Sequence, residues 1–212
     1  SQTVLPNLGQ SQQWTTVPNL YKGENQCVLK IGIHLMAIIG GDPSYWSDAG
    51  FKWVFTYNVL EGTTGALAPL IQGRNRHGCI LIKENYSSYI LVTGGYDEGG
   101  IKSTELLSLS SEGNNWVSTS DMDLAVNRYG HSMTMTKNGA LVIGGQSDTN
   151  TLLKSIEIFN LTTQTWTEYG HSLATPRSMF GGIMELPALL FGCQTRSINI
   201  AGLATAAIIW GF

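Results

Sequence analysis

The chain has 212 residues, of which 42% are hydrophobic and only 13% are charged, and its formal net charge at pH 7 is −3. A chain of this length can bury a substantial core in one or two domains. The small net charge and the lack of a Lys/Arg run argue against a nucleic-acid partner. The lack of a run of about 18 apolar residues argues against a helix that spans a membrane.

The three cysteines are Cys27, Cys79 and Cys193, an odd number without CxxC spacing. This pattern argues against a disulfide framework and against a zinc site. We therefore predict that all three are buried small hydrophobic residues.

Two Asn-X-Ser/Thr triplets begin at Asn85 and Asn160, and each is a potential acceptor of an N-linked glycan. A chain so rich in Asn, Ser and Thr contains as many by chance, so the triplets alone do not indicate secretion. The many Ser and Thr residues and the few charges favour an extracellular protein, although the compartment is left open. The chain begins at Ser1 without an initiator Met, which favours a processed or excised piece.

One short motif recurs, an apolar run that ends in a pair of glycines. It occupies residues 35–41, 89–95 and 140–145, and its first glycine falls at Gly40, Gly94 and Gly144, so the spacings are 54 and 50 residues. A period of this length in β-rich units predicts a repeat array such as a β-propeller. No segment shows an apolar stripe of helical period, so we predict an all-β fold.

The glycine pairs divide the chain into units that share one order of elements. A complete unit holds the apolar strand, the glycine pair, an aromatic-bearing strand, and a turn that leads to a Trp. The first unit lacks its Trp. In the first unit, strands are predicted at 31–39 and 51–58, with a hairpin turn at 61–65. The units are predicted at 22–75, 76–127, 128–176 and, in a degraded form, 177–212. The preceding segment, 1–21, holds Trp14, which indicates the end of an earlier blade or a strand that closes the ring.

This order of elements resembles the kelch repeat. Residues 103–109 align with 155–161, and Trp116 lies 50 residues before Trp166. The resemblance implies about four blades of four antiparallel strands, stacked as a kelch-type β-propeller or a partial one. A single blade cannot bury both of its faces, which agrees with stacking. An incomplete ring would leave open sheet edges through which chains could associate.

The glycine pairs and two tryptophans are predicted to have structural roles. No pair continues into GxGxxG or a Lys-Ser/Thr ending, so a nucleotide cofactor is not indicated. The glycines are expected to supply positive φ or close approach between blades, and the tryptophans to pack as wedges between blades. These residues are Gly40, Gly41, Gly94, Gly95, Gly144, Gly145, Trp116 and Trp166.

The resemblance also implies that an Arg at the start of each unit lies at the mouth of the propeller. Arg76, Arg128 and Arg177 are assigned to that position, with Lys22 in the first unit. An Arg fork suits carboxylates, which predicts an acidic protein or peptide partner. Other residues expected to line the mouth are His77, Tyr129 and Ser178, together with Asp42, Tyr96 and Gln146 after the glycine pairs.

The alternative role for each Arg is to hold a loop through hydrogen bonds to backbone carbonyls. The two roles predict different effects of Arg128→Ala. Loss of partner binding at an unchanged melting temperature would indicate a partner site, and a melting temperature lowered by several degrees would indicate a loop-holding role.

No catalytic constellation is found, so an enzyme and a cofactor are not predicted. The four histidines form neither HxH nor HExxH, and GxSxG is absent. Some copper oxidases share the kelch scaffold, but Tyr57, His131 and Cys193 fall at positions that cannot be related to their metal site. We therefore predict a protein-interaction module or adaptor. A secreted carbohydrate-binding or oxidase-type propeller, and a purely structural fragment, are the alternatives.

Overall fold

The computed structural model describes residues 23–43, 49–84, 86–110, 115–185 and 188–193. Within these ranges the chain forms β-strands and one short 3-10 helix, Ser120–Met122, and no α-helix. The strands make three four-stranded antiparallel sheets and one two-stranded sheet. The prediction of an all-β partial propeller built from four-stranded blades is confirmed. Trp14, Lys22 and the chain beyond Cys193 lie outside the described residues.

Each four-stranded sheet is one blade in which the strands follow each other in chain order. Blade 1 contains β1 Cys27–Lys30, β2 Leu35–Ile39, β3 Val54–Asn58 and β4 Thr63–Ala66. Blade 2 contains β5 Gly78–Glu84, β6 Ser87–Thr93, β7 Thr104–Ser108 and β8 Trp116–Val117. Blade 3 contains β9 Ser132–Thr136, β10 Gly139–Ile143, β11 Ile156–Asn160 and β12 Thr165–Glu168. The last pair is β13 Phe180–Glu185 and β14 Ala188–Cys193.

Blade 1 differs from the predicted strands in several places. The strand expected at 51–58 begins only at Val54. The strand expected at 31–39 begins only at Leu35, because Ile31 and Gly32 both donate backbone hydrogen bonds to the Leu35 carbonyl in a tight turn. The first strand of the blade, β1, precedes that turn and was not predicted. The hairpin turn expected at 61–65 ends earlier, since β4 begins at Thr63.

The two faces of the middle strands pack against different blades. In β6, Ile90 and Val92 join a cluster with blade 1, whereas Leu91 joins a cluster with blade 3. All three are fully buried. Since successive side chains of a strand point to opposite faces, an unbroken apolar run is what a strand buried on both faces requires. This explains the apolar runs that precede the glycine pairs.

The first strand of each blade lies nearest the centre, where β1 contacts β5, β5 contacts β9, and β9 contacts β13. The tryptophans lie between blades. Trp116 donates from Nε1 to the Ala68 carbonyl, 2.8 Å away, and belongs to the cluster between blades 1 and 2. Trp166 donates to Thr104 Oγ1 at 2.9 Å and belongs to the cluster between blades 2 and 3.

The glycine pairs join neighbouring blades through backbone hydrogen bonds. The second glycine of each pair donates to the carbonyl of the Arg that leads into the next blade, with Gly41 bonded to Arg74, Gly95 to Arg128, and Gly145 to Arg177. A Cβ on Gly94 would lie 2.6 Å from the Arg128 carbonyl oxygen, and its φ is +61°. Such a distance and such a φ together exclude other residues without rearrangement.

A disulfide joins Cys27 of β1 to Cys79 of β5, with the Cα atoms 6.0 Å apart, and closes a loop of 52 residues. The interpretation of these two cysteines as buried small hydrophobic residues is therefore wrong. Cys27 pairs with Ile39, whereas Cys79 pairs with Val92, one position further from its glycine pair. This one-residue offset turns the two side chains to opposite faces of their own blades, and hence toward each other.

Candidate functional site

Four backbone positions, one from each unit, follow one another beside the innermost strands and are joined in series by three hydrogen bonds. Asn25, Arg76, Gly130 and Met179 have φ values of 55°, 50°, 60° and 52°. Arg76 N donates to the Asn25 carbonyl, Gly130 N to the Arg76 carbonyl, and Met179 N to the Gly130 carbonyl, at 3.1, 2.8 and 2.7 Å. We call these four residues the central ring. Their left-handed conformation is rare for residues other than Gly and Asn.

The central ring borders a cavity of about 290 Å³. Its lining combines polar and apolar groups contributed by all four units. The lining residues are Asn25, Gln26, Arg76, His77, Gly130, His131, Met179, Phe180 and Gly181. Gly130 contributes no side chain, and the Met179 side chain packs over its backbone, where a Cβ on Gly130 would lie 2.9 Å from the Met179 sulfur. Met179 is 45% exposed at the opening.

Arg76 carries the positive charge of the central ring. Its side chain is half-buried, and its guanidinium carbon lies 6.0 Å from the ring centroid of Tyr96. Tyr96 in turn meets Tyr129 edge-on at 5.1 Å. Within the described part of the chain, Arg76 forms no ion pair with an acidic side chain. Its donors are therefore available to a carboxylate.

Tyr129 forms the other side of this aromatic pair. Its hydroxyl donates to Asn150 Oδ1 at 3.0 Å. Burial raises the pKa of Tyr129, and Tyr96 and Asp148 act in the same direction while the Arg76 cation opposes them. The phenol is therefore neutral at physiological pH and serves as a hydrogen-bond donor and apolar contact.

Arg128 is placed differently from Arg76, because it is fully buried. It donates to the carbonyls of Gly144 and Ser155, to Ser155 Oγ, and to the carboxylate of Glu157. Burial lowers the pKa of Arg128, while Glu157 acts in the opposite direction. These bonds to backbone carbonyls are those expected if Arg128 holds a loop in place instead of binding a partner.

Arg74, two residues before Arg76, is the true counterpart of Arg128. It is fully buried and donates to the Gly94 and Ser103 carbonyls and to Glu105. The sequence alignment of Arg76 with Arg128 is thus displaced by two residues. Arg76 corresponds instead to Gly130, which is why it reaches the central ring while Arg128 does not.

Arg177 holds the same backbone position as Arg74 and Arg128, since its carbonyl accepts the bond from Gly145 N. Its side chain is half-buried, and Nε donates to the Thr175 carbonyl at 3.4 Å. Ser178, the next residue, is also half-buried. Neither residue lines the central cavity.

His77 and His131 lie beneath the central ring and are 8% and 7% exposed. Burial lowers the pKa of each to about 3, and the cations of Arg74 and Arg128 contribute. Each imidazole packs against the first glycine of the preceding pair, where a Cβ on Gly40 or Gly94 would lie 2.7 Å from the ring. Both histidines therefore act as neutral packing groups in the cavity wall.

Two ring residues, Asn25 and Met179, were not predicted. A sequence signal was nevertheless available. Met179 stands two positions after an Arg that follows a glycine pair, as Arg76 and Gly130 do, and Asn25 stands two positions before β1. Of the other residues expected at the mouth, Asp42 is fully buried and accepts a hydrogen bond from Asn25 Nδ2 at 3.0 Å. Gln146 donates to Asn150 Oδ1 at 3.0 Å.

The described residues hold no group of three or more His, Cys, Asp or Glu side chains that could bind a metal ion. In the same part of the chain, no helix has the length and apolar character needed to cross a membrane.

Comparison with known proteins agrees with the repeat pattern. Residues 127–170 match the family model of the Kelch motif. The chain is 30% identical over 132 residues to alpha-scruin of Limulus polyphemus, covering 58% of this chain and 13% of that protein. It is 27% identical over 107 residues to Kelch-like protein 41b of Danio rerio, covering 50% and 17%. The chain thus matches only a small part of each relative. It contains kelch repeats, in the form of glycine-paired, four-stranded blades.

Proposed function

We propose that the chain is a protein-interaction module whose partner is a peptide or loop with acidic groups, bound at the central ring through Arg76. The observation that carries the proposal is a half-buried Arg, directed to a cavity, that has no acidic partner within the described residues. Arginine binds carboxylates through two parallel, charge-assisted hydrogen bonds. Kelch repeats are typical of protein-interaction modules, which supports the same function.

The surroundings of Arg76 suit a peptide. The half-buried Tyr96 offers aromatic surface beside the guanidinium, with the buried Tyr129 packed edge-on behind it. Met179 offers a flexible apolar contact across the cavity. Aromatic and Arg side chains are enriched at the energetic centres of interfaces. Arg177 and Ser178 are assigned to the outer mouth, and His77 and Arg128 support the site from beneath.

The proposal is tested by selecting peptides that bind this chain from a display library of random short peptides. Asp or Glu residues are expected in the enriched peptides. Arg76→Ala should weaken binding of an enriched peptide about ten- to hundredfold, the loss expected for a charge-assisted hydrogen bond. The melting temperature should be unchanged, because the side chain of Arg76 is half-buried and unpaired. Fluorescence anisotropy and thermal unfolding measure the two effects.

Two variants serve as controls. Lys137→Ala makes the same change in charge at an exposed turn, between β9 and β10 at the opposite end of the strands, and should bind like the wild type. Arg128→Ala should lower the free energy of unfolding by about 3–5 kcal/mol, since it leaves Glu157 buried and unpaired. Enriched peptides without acidic residues, or equal binding by Arg76→Ala and Lys137→Ala, would contradict the proposal.

A further inference from the structure

The hairpin between β11 and β12 presents Asn160 to solvent in a defined turn. Asn160 is the last residue of β11, and its Oδ1 accepts hydrogen bonds from the backbone N–H groups of Thr162 and Thr163 at 2.8 and 3.2 Å. Asn160 and Thr162 are both exposed. The carbonyl oxygen alone is engaged, and within the described residues Nδ2 of Asn160 has no hydrogen-bond partner. The amide nitrogen is therefore free to carry a substituent without disturbing the turn.

Blade 1 repeats this turn without the glycosylation triplet. Asn58 ends β3, and its Oδ1 accepts bonds from the N–H groups of Leu60 and Glu61 at 3.0 and 3.3 Å. Asn58 pairs with Thr63, as Asn160 pairs with Thr165. The third residue is Leu60 in blade 1 and Thr162 in blade 3. The Asn58 turn therefore has the same backbone hydrogen bonds as the Asn160 turn but lacks the Thr that glycosylation requires.

The disulfide is an independent observation that bears on the compartment. Cys27 and Cys79 are bonded across blades 1 and 2. Structural disulfides form and persist in oxidising environments, such as the endoplasmic reticulum and the cell exterior, and are rare in the cytosol. The enzymes that attach N-linked glycans act in that same secretory route. The exposed triplet and the interblade disulfide are separate observations, and both agree with folding in the secretory route.

We propose that Asn160 is a site of N-linked glycosylation and that the chain folds in an oxidising secretory compartment. A new bond joins Nδ2 of Asn160 to the anomeric carbon of an oligosaccharide. The donor is a lipid pyrophosphate-linked oligosaccharide; its lipid pyrophosphate is the leaving group, and the amide gives up one proton. The glycan projects from the outer hairpin of blade 3, whereas the central ring lies among the innermost strands. It therefore leaves the proposed peptide site open.

The test is secretion of the 212-residue chain, fused behind a signal peptide, from cultured eukaryotic cells. Peptide mass spectrometry after treatment with a glycan-releasing amidase in heavy-oxygen water identifies each modified Asn as a labelled Asp. We expect label at Asn160 in the wild type and none at Asn160 in Thr162→Ala, which keeps both backbone donors of the turn. Leu60→Thr creates the triplet at Asn58 and should add label at Asn58, which is unlabelled in the wild type.

The same protein, digested without reductant, should yield a peptide pair joined through Cys27 and Cys79. An unlabelled Asn160 in the secreted wild type would overturn the proposal, whether or not Leu60→Thr is modified at Asn58. Free thiols at both cysteines in the secreted protein would overturn the assignment of the compartment. Neither readout depends on peptide binding, so the result stands apart from the function proposed above.

Discussion

At the scale of single residues, Arg74 and Arg128 show that a side chain well suited to ligands can hold a scaffold together. The carbonyl of each accepts a hydrogen bond from the glycine pair of the preceding blade, while its guanidinium binds the glycine pair of its own blade. The facing carboxylate of Glu105 accepts two further backbone N–H bonds, from Ile71 and Gln72. A buried ion pair is tolerated when its remaining groups are hydrogen-bonded in this way.

The buried histidines predict an acid-sensitive fold. His77 and His131 have pKa values of about 3 in the folded protein, below the value of 6.5 of an exposed histidine. The unfolded chain therefore binds more protons between these values. Their contribution to stability is complete above about pH 6.5 and is lost as the pH falls toward 3, at up to about 1.4 kcal/mol per pH unit for each histidine.

Denaturant unfolding of the wild type and of His131→Phe at several pH values between 5 and 8 measures this contribution. Phe180 already holds the equivalent place against Gly144, so the fold is expected to accept the substitution. The variant should lose less stability than the wild type between pH 7 and pH 5. Parallel pH profiles for the two proteins would show that His131 does not titrate on unfolding.

Which of Arg74 and Arg76 is buried could not be predicted from the residue types alone. Arg74 and Arg76 both precede His77, and either can be aligned with the Arg that precedes His131. Which of them is buried depends on the backbone, because the ring position requires positive φ. That conformation is supplied by Gly130 in the next unit and by Arg76 here. Residue types alone do not encode this difference.

At the scale of elements, the glycine pairs carry most of the predictive information. Their spacing of 54 and 50 residues was sufficient to locate the central strands of all three blades, because each pair must follow a strand buried on both faces. The short first strand of blade 1 was missed, since the turn at 31–34 is as apolar as the strands beside it. Apolar character identifies a buried strand but does not locate a turn inside an apolar run.

Three Gly→Ala substitutions distinguish the two reasons for which a glycine is required, positive φ and the lack of space for a Cβ. Gly99 has neither positive φ nor an atom within 4 Å of the place a Cβ would take, Gly62 has positive φ alone, and Gly94 has both positive φ and the close Arg128 carbonyl. Gly99→Ala should be nearly neutral, Gly62→Ala should cost about 1–2 kcal/mol, and Gly94→Ala should cost about 1–3 kcal/mol more. Free energies of unfolding measure the order, and an equal cost at Gly62 and Gly94 would contradict the role of close blade approach.

At the scale of the whole molecule, the blades are held by backbone bonds, Trp wedges and the disulfide. The disulfide could not be predicted, because its cysteines occupy different positions in their two units. Only the stacking of blades brings them together. The apolar clusters, by contrast, follow directly from the alternation of side chains along the central strands.

The disulfide between Cys27 and Cys79 is expected to stabilise the folded chain by about 4 kcal/mol, the chain-entropy value for a loop of this length. Addition of reductant should therefore lower the melting temperature of the wild type. The double variant Cys27→Ala/Cys79→Ala should unfold at a lower temperature and should be insensitive to reductant. A wild-type melting temperature that does not respond to reductant, with both thiols shown to be free, would refute this contribution.

The central ring has a consequence for how this surface can diversify. Its four members are linked in series through main-chain N–H and carbonyl groups, so their side chains are not needed to hold them together. Asn, Arg, Gly and Met already occupy equivalent backbone positions in this one chain. Duplicated copies of such a gene can therefore exchange one residue per unit and acquire new binding partners while the architecture beneath stays the same.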